Sequence, residues 1–211
     1  MRKTTRIARL TIMAGLFAGL LPGQPASAWR SLFDGKSLAG WKESDFFGAG
    51  KVTLDNGVIT LGSGALTGIN WAAVSAPFPT SNYEVRIEAA RIKGSDFFAG
   101  ITFPVKDTYC TWINGGWGGK VVGLSSINGA DASENETTFT REFETGRWYT
   151  LRLRVTPEKI SAWIDDDVAI DFTIGKKWIA LREGEIGYSI PFGVAAYSTT
   201  AAVRKIEWRP L

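Results

Sequence analysis

The sequence contains no histidine and a single cysteine. The first absence excludes a Ser-His-Asp triad, a Cys-His pair and any imidazole-ligated metal. The second excludes an internal disulfide. Cys110 sits in "TYCTWIN", a strand-like stretch, and reads as a buried, inert thiol. Acid–base chemistry is left to Asp, Glu, Lys and Tyr, or to a cation such as calcium held by oxygen ligands.

Apolar runs of membrane-spanning length are also missing. The run "LTIMAGLFAGLL" has 12 residues, too few to cross a bilayer. It follows the basic "MRKTTRIAR" and precedes the small residues "PASA". This three-part pattern predicts a signal peptide over 1–28, cleaved after Ala28. The expectation is a secreted or periplasmic protein with no membrane insertion after cleavage. Arg2, Lys3, Arg6 and Arg9 all lie in the leader, so the formal charge of +3 becomes −1 for residues 29–211. No basic run interleaved with aromatics remains, and nucleic acid is excluded as a partner.

Sustained helical periodicity is absent as well. Short β-rich segments recur instead, broken by Gly, Asn, Asp and Pro, and predict an all-β antiparallel sandwich over 29–211. A chain of that length buries roughly 70% of its unfolded surface in one domain. In "KVTLDNGVITL" the Asn56-Gly57 pair predicts a two-residue turn, with Leu54 facing Ile59 and Val52 facing Leu61. In "ISAWIDDDVAIDF" three aspartates, Asp165, Asp166 and Asp167, suggest calcium. Placing them in a three-residue loop pairs Ile164 with Val168, Ala162 with Ile170 and Ile160 with Phe172, so the turn reading is preferred. In "YEVRIEAARI" and "WYTLRLRV" apolar and polar residues alternate, as in sheets with one wet face.

Four places could carry chemistry. "NGGWGGKVVGLSSING" presents Trp117 on a Gly-rich turn, either as a platform for a sugar ring or as cover for a sheet edge. "GADASENETT" gathers Asp131, Glu134, Asn135 and Glu136, as a binding loop or a plain acidic one. Glu84, Arg86 and Glu88 share a strand face, as tuned carboxylates or as cross-strand ion pairs. Trp163 falls among polar neighbours, on a ligand-bearing face or beneath a loop.

"SLFDGKSLAGW" resembles the opening signature of the secreted bacterial domains named 3-keto-disaccharide hydrolase. The similarity continues through "DNGVITLGSGALTG", "GGWGGKVVGLSSINGADASENETT" and the closing "RKIEWRPL". It implies a two-sheet concanavalin A-like jelly roll, related to laminin-G-like domains. It also implies a carbohydrate partner and hydrolysis of 3-keto-disaccharides or related glycosides by carboxylate acid–base chemistry. On that implication Glu88, Asp131 and Glu134 are the candidate bases. Arg86, Asn114, Trp117, Asn135 and Trp163 are the candidate substrate-binding groups. The chain departs from the commoner family pattern of Asn-Ser-Gly then Arg at "DFFAGITFPV", which lacks the Asn-Ser and the Arg. The E-x-D-x-x-E signature of laminarinase-type retaining glucanases is also missing. Two other functions compete on the same residues: a non-catalytic carbohydrate-binding module and an interaction domain of the cell envelope.

Overall fold

A computed structural model of the chain describes residues 27–211; all but the last two residues of the expected leader lie outside them. Among the described residues there are fifteen strands. They are β1 (Arg30–Ser31), β2 (Trp41–Glu43), β3 (Val52–Asp55), β4 (Val58–Leu61), β5 (Thr67–Trp71), β6 (Tyr83–Gly94), β7 (Ala99–Val105) and β8 (Thr108–Gly116). They continue with β9 (Val121–Ser125), β10 (Phe139–Thr140), β11 (Tyr149–Val155), β12 (Lys159–Ile164), β13 (Asp167–Thr173), β14 (Gly193–Ala196) and β15 (Thr199–Pro210). A 3-10 helix, Glu185–Ser189, lies between β13 and β14. No helix among these residues is long and apolar enough to cross a membrane.

The strands form two antiparallel sheets. The first runs β13-β12-β11-β6-β15-β4-β3, with β1 also on β15, and the second runs β10-β9-β8-β7-β14-β5-β2. This is the jelly-roll sandwich expected from the sequence. Period-2 alternation builds its core. On the first sheet Val85 pairs with Leu153 and Ile87 with Leu151, all fully or almost fully buried. The second sheet answers with Ile101, Phe103, Trp112, Leu124 and Val194, none of them exposed. Each such aliphatic side chain contributes about 1.5–3 kcal/mol by leaving water. Cys110 joins this layer, and burial pushes its thiol up to about 12 against the opposing backbone hydrogen bonds of Thr111 and Ser125.

The first hairpin has the predicted register, closed by Asn56 and Gly57, both at positive φ. The second differs from expectation. Ile164 faces Asp167 and Trp163 faces Val168, so the loop holds two residues, and a bulge beyond Trp163 restores the Ala162–Ile170 and Ile160–Phe172 pairs. Asp165 explains the tighter turn. It takes φ 56°, and its Oδ1 accepts the Thr150 amide at 2.9 Å. Arg147 lies 3.0 Å from its Oδ2, and Arg141 lies 3.0 Å from Asp167. The extra residue is therefore absorbed within β13, where a bulge costs one ladder position and keeps the apolar face inward.

The outer face of the first sheet is less wet than the alternation suggests. Glu84 is fully buried, because Arg152 and Arg154 of β11 and Arg209 of β15 fold their guanidinium groups over it.

Candidate functional site

Two cross-strand rows cover the middle of the second sheet's outer face. Register aligns Asn70, Gly193, Thr102, Thr111 and Ser125 in one row, and Gly68, Ala195, Gly100, Ile113 and Gly123 in the next. Nearly all are small, so loops pack directly on the backbone. A Cβ added to Gly123 would stand 2.6 Å from the Ala132 carbonyl oxygen, and one on Gly193 would stand 2.5 Å from that of Ser189. The residue 129–138 loop and the 3-10 helix are held against the sheet in this way.

Beside the 3-10 helix a cleft of about 310 Å³ remains open. That is near the lower end of small-molecule sites, about 300–1,000 Å³. Thr111, Ile113 and Ser125 form its floor, and Phe97, Trp117, Tyr197, Leu66 and Ile186 line its walls. Arg182, Glu183 and Glu185 bring charge to it. The polar floor is partly self-satisfied, since the Thr102 and Thr111 hydroxyls meet at 2.9 Å. The Glu185 Oε1 accepts the Phe47 amide at 3.1 Å, which ties the 3-10 helix to the loop after β2.

Trp117 is presented by a braced turn. It sits at φ 46° in the β8–β9 connection and is 41% exposed. Arg91 of β6 is buried and donates to the carbonyls of Gly119 at 2.8 Å and Gly115 at 3.3 Å. Burial lowers its pKa, against the pull of Asp96. The Asp96 carboxylate accepts the amides of Phe97 at 2.8 Å and Gly118 at 3.4 Å. The turn is thus clamped from both sides, and the indole is left facing outward with the Arg182 guanidinium 5.8 Å from its ring centre.

Asp131 lies outside this lining but touches two residues of it. Its side chain is 25% exposed, 3.4 Å from Arg182 Nε, and it accepts the Ser125 hydroxyl at 3.4 Å. Of the residues singled out in the sequence, Asp131 and Trp117 come together here. The others are placed elsewhere. Glu134 is exposed in the loop, outside the cleft lining. Asn135 is its organiser: Nδ2 donates to the carbonyls of Leu124, Asp131 and Ala130, and Oδ1 accepts from Thr137. Asn114 is fully buried on the core side of β8 and donates to the Ala99 carbonyl at 3.0 Å.

Glu88, Arg86 and Trp163 lie on the far side of the core, on the first sheet. Glu88 is held by Arg204 at 2.6 Å and Lys205 at 2.5 Å. Burial raises its pKa, but these two cations outweigh it and the net shift is downward. Arg86 pairs with Glu207 at 2.5 Å and stacks on Trp29, and Trp163 lies under Arg152 with 3.8 Å to the ring centre. The cleft's remaining contributors gave little sign in the sequence. Phe97 reads as part of an apolar core strand, and Arg182, Glu183 and Glu185 lie in "LREGEIG", a segment without periodicity. Among the described residues no group of three or more carboxylates or thiols is arranged to hold a metal ion.

A family model described as the 3-keto-alpha-glucoside-1,2-lyase-like domain matches residues 28–209. No curated protein matches the sequence. Solved structures share the fold at low identity. The carbohydrate-binding module CBM66 from Bacillus subtilis is 14% identical, with TM-score 0.52 over 81% of this chain and 95% of that one. The conserved carbohydrate esterase of the Shiga toxin-encoding bacteriophage phi24B is 13% identical, with TM-score 0.57 over 87% and 99%. The Crh5 transglycosylase is 12% identical, with TM-score 0.55 over 87% and 83%.

Proposed function

The chain belongs to the 3-keto-alpha-glucoside-1,2-lyase-like domain family, and on that premise we propose that its cleft cleaves 3-keto-glycosides by elimination. Membership makes it a carbohydrate-related domain of the glycosidase or carbohydrate-binding type. One observation carries the finer reading: Arg182, Ser125 and Trp117 line a single cleft, and the Asp131 carboxylate lies just outside that lining, 3.4 Å from both Arg182 Nε and the Ser125 hydroxyl.

A ketone at C3 acidifies the C2–H bond. Asp131 takes that proton, the C–H electron pair forms the C1–C2 double bond, and the C1–O bond breaks. The departing oxygen receives a proton from Asp131 or water. The Arg182 guanidinium and the Ser125 hydroxyl are donors for the enolate oxygen as charge develops. Trp117 offers its face to the sugar ring. Addition of water, hydroxyl to C1 and proton to C2, completes net hydrolysis. The leader pattern over 1–28 supports action outside the cytoplasm.

One feature favours binding without turnover as a second reading. The cleft floor offers the Thr111 and Ser125 hydroxyls beside Ile113, and Asp131 is already engaged by Arg182. Product analysis by mass spectrometry separates the two. The protein is incubated with disaccharides and their 3-keto forms, with and without calcium. Cleavage is expected only of the 3-keto forms, falling about 100-fold or more in Asp131→Asn and persisting in Glu88→Gln and Glu134→Gln. Full activity in Asp131→Asn removes Asp131 as the base. Retention of sugars with no cleavage of any substrate establishes the binding module instead.

A further inference from the structure

Beside the main cleft lies a second cavity of about 240 Å³, lined by Asp96, Phe97, Trp117, Arg182 and Tyr197. It shares all but Asp96 with the cleft, so the two cavities adjoin along these four side chains. The two sides differ in chemistry. The cleft side has hydroxyls on its floor and Asp131 just outside its lining. The second side is walled by aromatic rings. Phe97 and Tyr197 stack with centroids 5.9 Å apart and planes 25° apart, and the Tyr197 amide donates to the Phe97 carbonyl at 3.0 Å. Tyr197 remains 43% exposed and Trp117 41%. Two large aromatics left half in water beside one cavity form a surface that gains by being covered.

The polar groups on this side are few. The Asp96 carboxylate accepts the amides of Phe97 and Gly118, and Arg182 is directed to Asp131 and the Trp117 ring.

We infer that this second cavity is a subsite for the leaving group, taking a flat or apolar-faced ring of loosely defined identity, an aryl aglycone or the face of a second sugar. The inference rests on the proposed function in that the reacting ring occupies the neighbouring cleft. Selectivity then resides with the reacting ring, and the aromatic wall adds affinity for the aglycone by stacking alone. Tyr197 contributes its ring and not its hydroxyl.

The test is calorimetric titration of the full chain with methyl and phenyl α-glucosides, each in its 3-keto and unoxidised form. The ratio of affinities is read, so binding is judged apart from turnover. Phenyl is expected to bind about five- to tenfold more tightly than methyl in the native chain. That ratio collapses towards one in Tyr197→Ala, because phenyl affinity falls further than methyl, and persists in Tyr197→Phe. Equal affinities for methyl and phenyl in the native chain overturn the subsite while leaving the main cleft intact. A preference for phenyl that survives Tyr197→Ala overturns the assignment to this wall. Absence of binding by all four ligands overturns both the subsite and the proposed function. A Tyr197-dependent preference without cleavage of the 3-keto forms upholds the subsite and removes only the elimination.

Discussion

The two sheets present similar apolar layers to each other and opposite kinds of surface to the outside. On the first sheet long charged side chains and tryptophans cover the strands. Glu84 is buried under three arginines, Glu88 under Arg204 and Lys205, and Trp29, Trp148 and Trp163 are each stacked by a guanidinium. On the second sheet the central rows are mostly glycine, alanine, serine and threonine, and loops pack on bare backbone to leave a cleft. The first surface consumes its own charge. Nearly every carboxylate there has a cation, which makes it a device for holding strands together. The second withholds side chains from the sheet and supplies a few from the rim. A dense array of catalytic-looking residues can therefore mark a stabilised face, and a run of small ones can mark a site.

The comparison is broken most forcefully at Glu84. Removing a fully buried carboxylate leaves Arg152, Arg154 and Arg209 without their common partner. Glu84→Ala is expected to cost about 3–5 kcal/mol in urea unfolding, with glycoside affinity unchanged in the folded protein. The same pairs set an acid limit. Burial raises the pKa values of Glu84 and Glu88, but the arginines and lysine around them outweigh it and leave both below the ordinary value of 4.5. A depressed folded pKa stabilises fully above the unfolded value and is lost as pH falls through the folded one. Unfolding midpoints are expected to hold above about pH 4.5 and to decline beneath it, less steeply in Glu84→Ala. An unchanged midpoint at neutral pH would show that the first sheet does not depend on this cluster.

The first sheet was far more legible in the sequence than the second. Alternation in β6 and β11 predicts which residues are inside, and the observed cross-strand pairs follow from it. The Asn56-Gly57 turn is readable because only residues that tolerate positive φ fit it. The site is harder to read for a physical reason. Its rows come from five strands spread between Gly68 and Ala195, and no single segment shows the pattern. Phe97 and Tyr197, a hundred residues apart in sequence, are joined only by the fold. The acids of "YEVRIE" stand out because they are concentrated, yet register places Glu84 opposite Arg154 and Arg209 and Glu88 opposite Arg204. Asp131 and Trp117 are legible because a Gly-rich turn and an acidic loop are local features. Arg91, which holds that turn, reads as one more basic residue at the end of a strand.

The small-residue face can be tested by adding one methyl group. In Gly123→Ala the new Cβ would meet the Ala132 carbonyl oxygen at 2.6 Å and the Ala132 Cα at 3.2 Å, both backbone atoms. The residue 129–138 loop must lift, and Asp131 moves with it. Overpacking of this kind costs about 1–3 kcal/mol, and glycoside affinity is expected to fall in the same variant. Crystallography or amide exchange of the loop locates the change. If Gly123→Ala keeps both stability and affinity, loop packing on the sheet does not set the site.

The smallest change in stability, and the sharpest contrast, comes from exchanging one tryptophan on each face. Trp117 projects from its turn with 41% exposure, so Trp117→Ala is expected to alter stability by no more than about 0.5 kcal/mol. Glycoside affinity should nevertheless fall about tenfold as the ring platform is lost. Trp163 is engaged by Arg152 at 3.8 Å and Arg154 at 5.9 Å from its ring centre. Trp163→Ala should cost about 1 kcal/mol of stability through the lost cation–π contact and leave glycoside affinity where it was. Paired urea and calorimetric titrations read both quantities in both variants. If affinity instead followed Trp163, the charged face would be the ligand surface, and its ion pairs would have to open to admit a sugar. That opening would expose Glu84 and Glu88 to a ligand only after their cations had been displaced, a cost the second sheet, with its cleft already open, does not incur.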